Sequence, residues 1–324
     1  MPTVVTTSEP NERSFVIFSM IKTVFVILLL ATSLTGFTQH SPSKLSLHKG
    51  FYLLTIDRAQ SMQHLNKAID QDSTYAEAYY YRGLLHYKNG DYNASIEDFD
   101  HAYAFDQNLT LTYIYKGFAQ RNMGLLDSAV KNFSTYIELN PTDTSAYSYI
   151  LRGKVRQESG DYQGAINDYD LAVALKPIEE KYYYYRYLSN SKKGKHLQAL
   201  KEINKAIEIN PEFYGYHFYK GNTLFTLGRN QEAINTYNHS ISLNSYNADA
   251  FYQRGNVNIA MNNQHEAIES YSMAILITED GAYYSHRGNS KYAIGDNNGA
   301  CEDWAQANHL GYYADYDKMK KLCK

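Results

Sequence analysis

Apolar and aromatic residues recur at helical spacing on both sides of short turn sequences along most of this chain. In residues 76–109, AEAYYYRGLLHYKNGDYNASIEDFDHAYAFDQNL, the turn is Asn89-Gly90-Asp91, and an apolar stripe lies on each side of it. The pattern predicts a helix, a tight turn and a second helix, each about twelve residues or roughly 18 Å long. Helices this short are not stable alone, so the pattern also predicts that each pair stacks on its neighbours to complete a core.

A small residue returns at a nearly fixed interval along the chain, and a second small residue follows it by twelve positions. The first set is Gly83, Gly117, Gly153, Tyr187 in place of glycine, Gly221, Gly255 and Gly288. The second set is Ser95, Ala129, Ala165, Ala199, Ala233, Ala267 and Ala300. Intervals of 34, 36, 34, 34, 34 and 33 residues in the first set are typical of a solenoid. The small residues predict a close approach of the two helices, with a bulky residue such as Phe99 between them.

Residues 160–177, GDYQGAINDYDLAVALKP, and 197–211, LQALKEINKAIEINP, resemble tetratricopeptide repeats, because the small, large, small and proline positions all agree with that pattern. The resemblance covers seven units over residues 76–311. It implies an all-α, right-handed superhelical solenoid of antiparallel helix pairs. We interpret residues 42–75 as a further, degenerate N-terminal repeat and residues 312–324 as a C-terminal capping helix.

Two departures from the pattern predict local changes in packing. Tyr187 occupies a position where six other units carry glycine, so we expect the helices of that unit to be pushed apart or tilted. Two extra residues around positions 142–145 lengthen the loop between the second and third units. Each departure is either a local accommodation or a kink that reshapes the groove.

Residues 1–39 do not follow the repeat pattern. Met20 is followed by a lysine, the apolar run VFVILLLATSL at 24–34 and a small polar segment, which together are typical of a secretory signal peptide. This favours a true start at Met20 and an exported protein, either periplasmic or secreted. The alternative is an uncleaved membrane anchor over residues 15–34, although Lys22 interrupts that stretch and the apolar part is short for a full span.

The chain has two cysteines, Cys301 and Cys323, both near its end. In an exported protein such a pair is a candidate disulfide, and the two sulfurs would meet if residues 312–324 fold back along the last repeat. Two buried free thiols are the alternative. Metal binding is not expected, because no paired histidines accompany the cysteines. Residues 300–323 also resemble the closing segment of exported bacterial tetratricopeptide proteins.

The sequence contains no recognisable catalytic motif. It has no glycine-rich phosphate loop, no H-E-x-x-H pair and no G-x-S-x-G turn, so we expect no enzyme activity and no cofactor. The net charge of −3, with no basic stripe outside the tail, argues against a nucleic-acid partner. We interpret acidic runs such as Glu97-Asp98 and Glu302-Asp303 as parts of a solvated face. The histidines His86, His101, His217, His239 and His286 fall in different units without ligand spacing.

The resemblance to tetratricopeptide repeats implies that the first helix of each unit lines a concave surface. It also implies that the residue after the glycine position points into that surface. In the last three units this residue is Asn222, Asn256 and Asn289. Asparagine offers a donor and an acceptor, and the family uses it here to bind peptide backbone. Lys192 is a candidate for binding a charged peptide terminus, but the last three units offer Tyr252, Phe218 and Thr226 instead of cations, so we do not expect a clamp for such a terminus.

Tyrosine is unusually frequent in this chain, with 33 residues. We assign most of these to core packing and expect Tyr184 and Tyr252, together with Phe218, to face the groove. A tyrosine there offers a broad apolar ring with a polar tip. These residues favour a non-catalytic adaptor that binds a peptide segment of a partner protein in the cell envelope. An envelope carbohydrate-binding protein that uses the groove tyrosines is the alternative.

Arginine precedes the glycine position in several units. These residues are Arg82, Arg152, Arg254 and Arg287. They resemble a ladder for anions, but their place one residue round the helix predicts instead that their stems pack over the neighbouring helix.

Overall fold

The computed structural model describes residues 42–54 and 56–323, so the predicted signal peptide and the alternative anchor lie outside the described residues. Within those residues all regular secondary structure is helical, in seventeen helices. They are α1 (Pro42–Leu53), α2 (Arg58–Gln71), α3 (Ala76–Asn89), α4 (Tyr92–Phe105), α5 (Leu111–Asn122), α6 (Leu126–Leu139), α7 (Tyr147–Glu158), α8 (Tyr162–Leu175), α9 (Glu180–Lys192), α10 (His196–Ile209), α11 (Tyr214–Thr226), α12 (Asn230–Leu243), α13 (Ala248–Ala260), α14 (Gln264–Ile277), α15 (Gly281–Ala293), α16 (Asn297–His309) and α17 (Tyr316–Leu322). None of these helices is long and apolar enough to cross a lipid bilayer.

The chain divides into two compact units, one up to Tyr81 and one from Arg82 onward, and the boundary falls within α3. The first unit contains the α1–α2 pair. Gly50 packs directly on Leu65, where an added Cβ would lie 2.8 Å from Cγ of the leucine. The hydroxyl of Ser61 donates to the carbonyl of Gly50 at 2.6 Å. The close approach of Gly50 to the buried Leu65 and the hydrogen bond from Ser61 therefore join the two helices.

The second unit is an array of helix pairs, in which each pair packs on the next. This is the all-α solenoid of paired repeats that the sequence predicts. In most pairs the turn between the two helices contains a glycine with positive φ, such as Gly124 at 75°. Asn262 takes this left-handed conformation in the α13–α14 turn, with φ of 63°. Asparagine is the usual substitute for glycine there, because its short polar side chain tolerates this region.

In every first helix of this array except α9, a glycine lies against a large buried side chain of the second helix. In the α11–α12 pair an added Cβ on Gly221 would come within 2.5 Å of the Tyr237 ring. Gly255 and Tyr271 repeat this contact at the same 2.5 Å in the α13–α14 pair. Both rings are fully buried. Glycine therefore occupies these positions because the ring fills the space that any larger residue would need for its side chain.

In the α9–α10 pair the large side chain lies on the first helix instead of the second. Tyr187 occupies the glycine position and is 4% exposed, while the facing residue on α10 is Ile203, which is fully buried. The phenol hydroxyl of Tyr187 donates to the backbone carbonyl of Tyr219 at 3.2 Å. α9 and α10 remain packed as closely as the helices of the other pairs. The two helices are therefore not pushed apart, because the smaller Ile203 makes room for the ring.

The lengthened loop before α7 absorbs its extra residues locally. Asp143 accepts a hydrogen bond from the backbone amide of Ser145 at 2.8 Å. Ala146 then precedes α7 in a left-handed conformation, with φ of 63°, and its side chain is fully buried. A non-glycine residue in this region is uncommon, so burial of Ala146 holds the loop in its course.

Candidate functional site

The predicted groove is the face of α9, α11, α13 and α15 that carries Asn222, Asn256 and Asn289, and we call it the inner surface. All three asparagines are half-buried. Residues three and four positions away lie beside them on the same helix face. Phe218 and Phe225 therefore flank Asn222, and the exposed Ile259 lies beside Asn256.

Two of the asparagines are bonded to core tyrosines. The phenol of Tyr237 donates to Oδ1 of Asn222 at 2.7 Å. In the next pair the phenol of Tyr271 donates to Oδ1 of Asn256 at 2.8 Å. Burial raises the pKa of both phenols above the usual range, so they stay protonated and act as donors. Each tyrosine hydroxyl thus fixes the orientation of the neighbouring amide.

The amide nitrogens of these two asparagines differ in their hydrogen-bond partners. Nδ2 of Asn256 donates to Oε1 of Gln253 at 3.1 Å. Nδ2 of Asn222 has no hydrogen-bond partner within residues 42–54 and 56–323. Asn222 therefore offers a fixed donor on the inner surface, whereas the Asn256 donor is shared with its own helix.

Asn289 is occupied by the C-terminal segment of the chain. Its Nδ2 donates to Oδ2 of Asp315 at 3.0 Å, and its Oδ1 accepts from Nζ of Lys318 at 2.7 Å. Ser285, one helical turn before Asn289, also donates to Oδ2 of Asp315. The three predicted asparagines thus lie on equivalent helices but have three different sets of partners.

The predicted groove aromatics are half-buried and pack on one another. The ring of Tyr184 lies 5.6 Å from that of Tyr216 and 5.2 Å from that of Tyr219, measured between centroids. Burial raises the pKa of the Tyr184 phenol, with hydrogen bonding to Tyr219 as a further cause. Phe218 packs on the core ring of Tyr237, with centroids 6.2 Å apart. These aromatics form the wall of the inner surface.

Tyr252 belongs to a similar cluster between α13 and α15. Its ring centroid lies 4.8 Å from that of Tyr283, and its hydroxyl lies 3.2 Å from Nε2 of His286. Burial lowers the pKa of His286, although Asp315 opposes this effect. His286 is therefore held mainly as a neutral ring among aromatic neighbours.

Three of the four arginines that precede the glycine position form ion pairs with the second helix, whereas Arg254 donates to the hydroxyl of Ser270 at 3.0 Å and to Oδ1 of Asn238 at 2.7 Å. The guanidinium of Arg152 donates to Asp168 at 2.7 Å, and that of Arg287 donates to Asp303 at the same distance. Arg82 bonds Asp98 in the same way, at 2.7 Å. The interpretation of Asp98 and Asp303 as solvated is therefore wrong. Each is 3% exposed.

Sequence reasoning missed the spacing of these pairs. A carboxylate lies sixteen residues after the cation in four units, and Arg186 with Glu202 is the fourth case, at 2.7 Å. Such a fixed offset from one helix to the next would have indicated a paired ladder. The arginines therefore link the helices of a pair and do not form an anion site.

The two cysteines lie together at the end of the second unit. The structure bonds Cys301 on α16 to Cys323, which follows α17, with their Cα atoms 5.6 Å apart. The short helix α17 folds back on the last pair, as the disulfide prediction requires.

Other chemistry is sparse across the described part of the chain. Residues 42–54 and 56–323 contain no group of three or more histidine, cysteine or acidic side chains placed to hold a metal ion. Two clefts lie beside turns between helices. One, of about 410 Å³, is lined by His86 and Asp91, and the other, of about 420 Å³, by Lys195 and His196. Neither cleft includes an inner-surface residue named above.

Comparisons with known proteins identify the repeats. A model described as TPR repeat matches residues 59–90 and 221–262, and two models described as tetratricopeptide repeat match residues 76–109 and 146–179. The chain therefore contains tetratricopeptide repeats.

Solved structures share this fold. The C-terminal part of a TPR repeat-containing protein from Cytophaga hutchinsonii superposes with a TM-score of 0.65 and 12% identity, over 74% of this chain and 98% of that one. A tetratricopeptide repeat protein from Parabacteroides merdae gives a TM-score of 0.55 and 20% identity, over 76% of this chain and 96% of that one.

Among curated proteins, anaphase-promoting complex subunit 3 of Schizosaccharomyces pombe is 26% identical over 136 residues. The match covers 42% of this chain and spans 20% of the length of that relative.

Proposed function

We propose that this protein is a non-catalytic interaction scaffold that binds an extended peptide segment of a partner protein along its inner surface. Tetratricopeptide repeats and their paired-helix fold support a role in protein interaction. The proposal of peptide binding depends on two hydrogen bonds, in which tyrosines of α12 and α14 donate to asparagines of α11 and α13. Because each phenol holds an asparagine oxygen, the amide hydrogens are oriented before any partner binds, which lowers the entropic cost of binding.

The inner surface suits an extended segment because successive first helices present a polar group and then an apolar group to it. Asn222 supplies an oriented amide donor, and Ile259, 37% exposed, supplies an apolar contact on the following first helix. An extended peptide presents carbonyl oxygens to the donor and side chains to the apolar contact. Phe218 and Tyr252 form the aromatic wall beside these groups.

The proposed location is the cell envelope. The apolar run at residues 24–34 after Met20 and Lys22 supports export, so the partner would lie in the periplasm or outside the cell. N-terminal sequencing of the mature protein tests this, since export through a signal peptide predicts a start close to Gln39. A mature protein that retains residues 24–34 would contradict cleavage.

The carbohydrate alternative gains no support from the aromatic residues. A sugar-stacking tyrosine needs an open ring face, whereas Tyr184 packs among the rings of Tyr216 and Tyr219, and Tyr252 packs on Tyr283. These rings act as packing surfaces within the array.

The direct test changes the donor and keeps the fold. Asn222→Asp retains an oxygen that accepts from Tyr237 and removes the amide hydrogens. With the full chain as bait in envelope extracts, we expect partner capture to weaken about tenfold, because a hydrogen bond is lost and a carboxylate repels peptide carbonyls. The matched control is Asn235→Asp on α12, where the exposed Asn235 accepts from Gln231 at 3.3 Å, away from the inner surface. Equal capture by the parent protein, N222D and N235D would refute the proposed groove.

A further inference from the structure

The C-terminal segment Tyr312–Cys323, which we call the strap, covers the inner surface of the last helix pair. The carboxylate oxygen Oδ2 of Asp315 accepts hydrogen bonds from both Ser285 and Asn289 of α15. Lys318 completes the contact by donating to Asn289 Oδ1 at 2.7 Å and to Asp315 Oδ1 at 3.1 Å. The strap thus occupies both hydrogen-bonding groups of the asparagine that is equivalent to Asn222.

The strap has little apolar attachment of its own. Asp315 is its one buried residue, at 8% exposure, and α17 has no buried residue among its seven. Tyr313 and Tyr316 are exposed. A helix of this length is not stable without support from its surroundings. The strap is held by its polar contacts to α15, by the bond between Cys301 and Cys323, and by two hydrogen bonds to the α16 segment. In these the amide of Tyr312 donates to the carbonyl of Ala307 at 2.9 Å, and Nδ2 of Asn308 donates to Sδ of Met319 at 3.2 Å.

The disulfide joins the C-terminal end of the strap to the second helix of the last pair. Cys323 follows the last turn of α17, and its amide bonds the carbonyl of Met319 at 2.8 Å. Cys301 lies on α16, which is anchored in the core by the fully packed Trp304. The disulfide thus ties the C-terminal end of the strap to α16, while Asp315 ties its beginning to α15.

We propose that the strap is a redox-controlled cover of the inner surface, an inference that rests on the proposed scaffold function. A dithiol reductant attacks the Cys301–Cys323 bond, the S–S bond breaks, both sulfurs become thiols, and the reductant becomes a disulfide. The strap then detaches and uncovers the donors of Ser285 and Asn289. These donors take an oxygen acceptor from a partner segment, a carboxylate above all, since a carboxylate occupies them in the closed state.

Hydrogen exchange of the full chain tests the opening without any partner. In the oxidised protein the amides of Met319 and Cys323 are hydrogen-bonded within the strap. On complete reduction, verified by thiol titration, we expect these amides to exchange at least about tenfold faster. The variant C301S/C323S should show the fast exchange with and without reductant. Unchanged exchange of the strap in the fully reduced protein would overturn the proposal.

Fluorescence of Trp304, the one tryptophan of the chain, gives a second readout. Nζ of Lys318 lies 5.9 Å from its ring centroid, so strap release removes a cation from the ring. We expect the emission to change on reduction of the parent protein and to stay constant in C301S/C323S. Far-UV circular dichroism of the variant checks that the array remains folded.

Partner capture in both redox states separates the two proposals. Stronger capture in the reduced state, lost in Asn289→Asp, supports the cover. Equal capture in both states, with strap exchange accelerated by reduction, overturns the regulation and leaves the scaffold standing. No capture in either state overturns both, and the exchange data then report a movement without that function.

Discussion

The α9–α10 pair and the α11–α12 pair each place one large side chain at the helix crossing, but on opposite helices. In α11–α12 the first helix supplies Gly221 and the second supplies the buried ring of Tyr237. In α9–α10 the first helix supplies the ring, from Tyr187, and the second supplies the smaller Ile203. Both pairs remain closely packed. In these two pairs a large side chain fills the helix crossing, and it comes from the second helix in one pair and from the first helix in the other.

The phenol hydroxyl donates to a different kind of acceptor in each of the two pairs. Tyr237 bonds the side chain of Asn222 on the inner surface, at 2.7 Å. Tyr187 bonds a backbone carbonyl of the following first helix, that of Tyr219, at 3.2 Å. The α11–α12 arrangement therefore orients an amide on the inner surface, whereas the α9–α10 arrangement links one pair to the next.

The largest effect should come from emptying the crossing of the α9–α10 pair. Tyr187→Gly leaves Ile203 facing an unfilled space, and loss of a buried aromatic side chain costs about 3–5 kcal/mol. The double variant Y187G/I203Y should recover most of this loss, because the ring returns from the other helix. Chemical denaturation followed by circular dichroism measures both. If Y187G/I203Y is no more stable than Y187G, the two arrangements are not equivalent.

A smaller loss should follow from crowding a glycine–tyrosine crossing. In Gly255→Ala the new Cβ would lie 2.5 Å from the Tyr271 ring, and overpacking of this kind costs about 1–3 kcal/mol. Gly90→Ala is a useful control, since no atom lies within 4 Å of its Cβ position and its cost arises from its φ of +88°. Local exchange should rise in α13–α14 for the first variant only. A loss confined to the turn in both would contradict a crowded crossing.

The tyrosine–asparagine bond should contribute about 1 kcal/mol. Tyr237→Phe removes the donor and leaves Oδ1 of Asn222 without its phenol partner. Adding Asn222→Leu should restore stability, since Leu84 and Phe99 occupy the equivalent positions in the first repeat of the sequence pattern. A double-mutant cycle on thermal unfolding measures the coupling. A coupling of zero would mean that the bond does not orient Asn222.

The smallest effect should be a pH dependence that distinguishes the same two pairs. Burial lowers the pKa of His217 on α11 below its usual 6.5, with the neighbouring His239 of α12 as a further cause, whereas the one histidine of the α9–α10 pair is His196, the first residue of α10. A lowered pKa means that the unfolded chain binds the proton more readily. The contribution to stability is therefore complete above about pH 6.5 and falls as the pH drops below that value. Exchange at pH 7.5 and 5.5, corrected for intrinsic rates, should show α11–α12 loosening more than α9–α10. Equal loosening would contradict this assignment.

The sequence predicted the helix pairs and the crossings because both depend on residue size at a fixed period. It did not predict how Tyr187 is accommodated, since that depends on Ile203, sixteen residues away and itself unremarkable in a helix. The buried state of Asp98 and Asp303 was missed for the same reason, because each is paired with an arginine on another helix.

The sequence predicted the positions of the candidate site residues but not their hydrogen-bond partners. Asn222, Asn256 and Asn289 lie on equivalent helices as expected, yet their partners are a core phenol, a core phenol with a glutamine, and the strap. The two phenol bonds recur with the same fifteen-residue offset in successive repeats, whereas the contacts of Asn289 come from the strap, which lies outside the repeat and follows no period.

Site-specific photo-crosslinking tests the central claim, that partners bind the inner surface. A benzophenone amino acid replaces Ile259, 37% exposed beside Asn256, or Leu276, 78% exposed near the end of α14. In reduced envelope extracts we expect a discrete crosslinked protein from position 259 and none from position 276. Equal crosslinking from both positions, or crosslinking from position 276 alone, would contradict it.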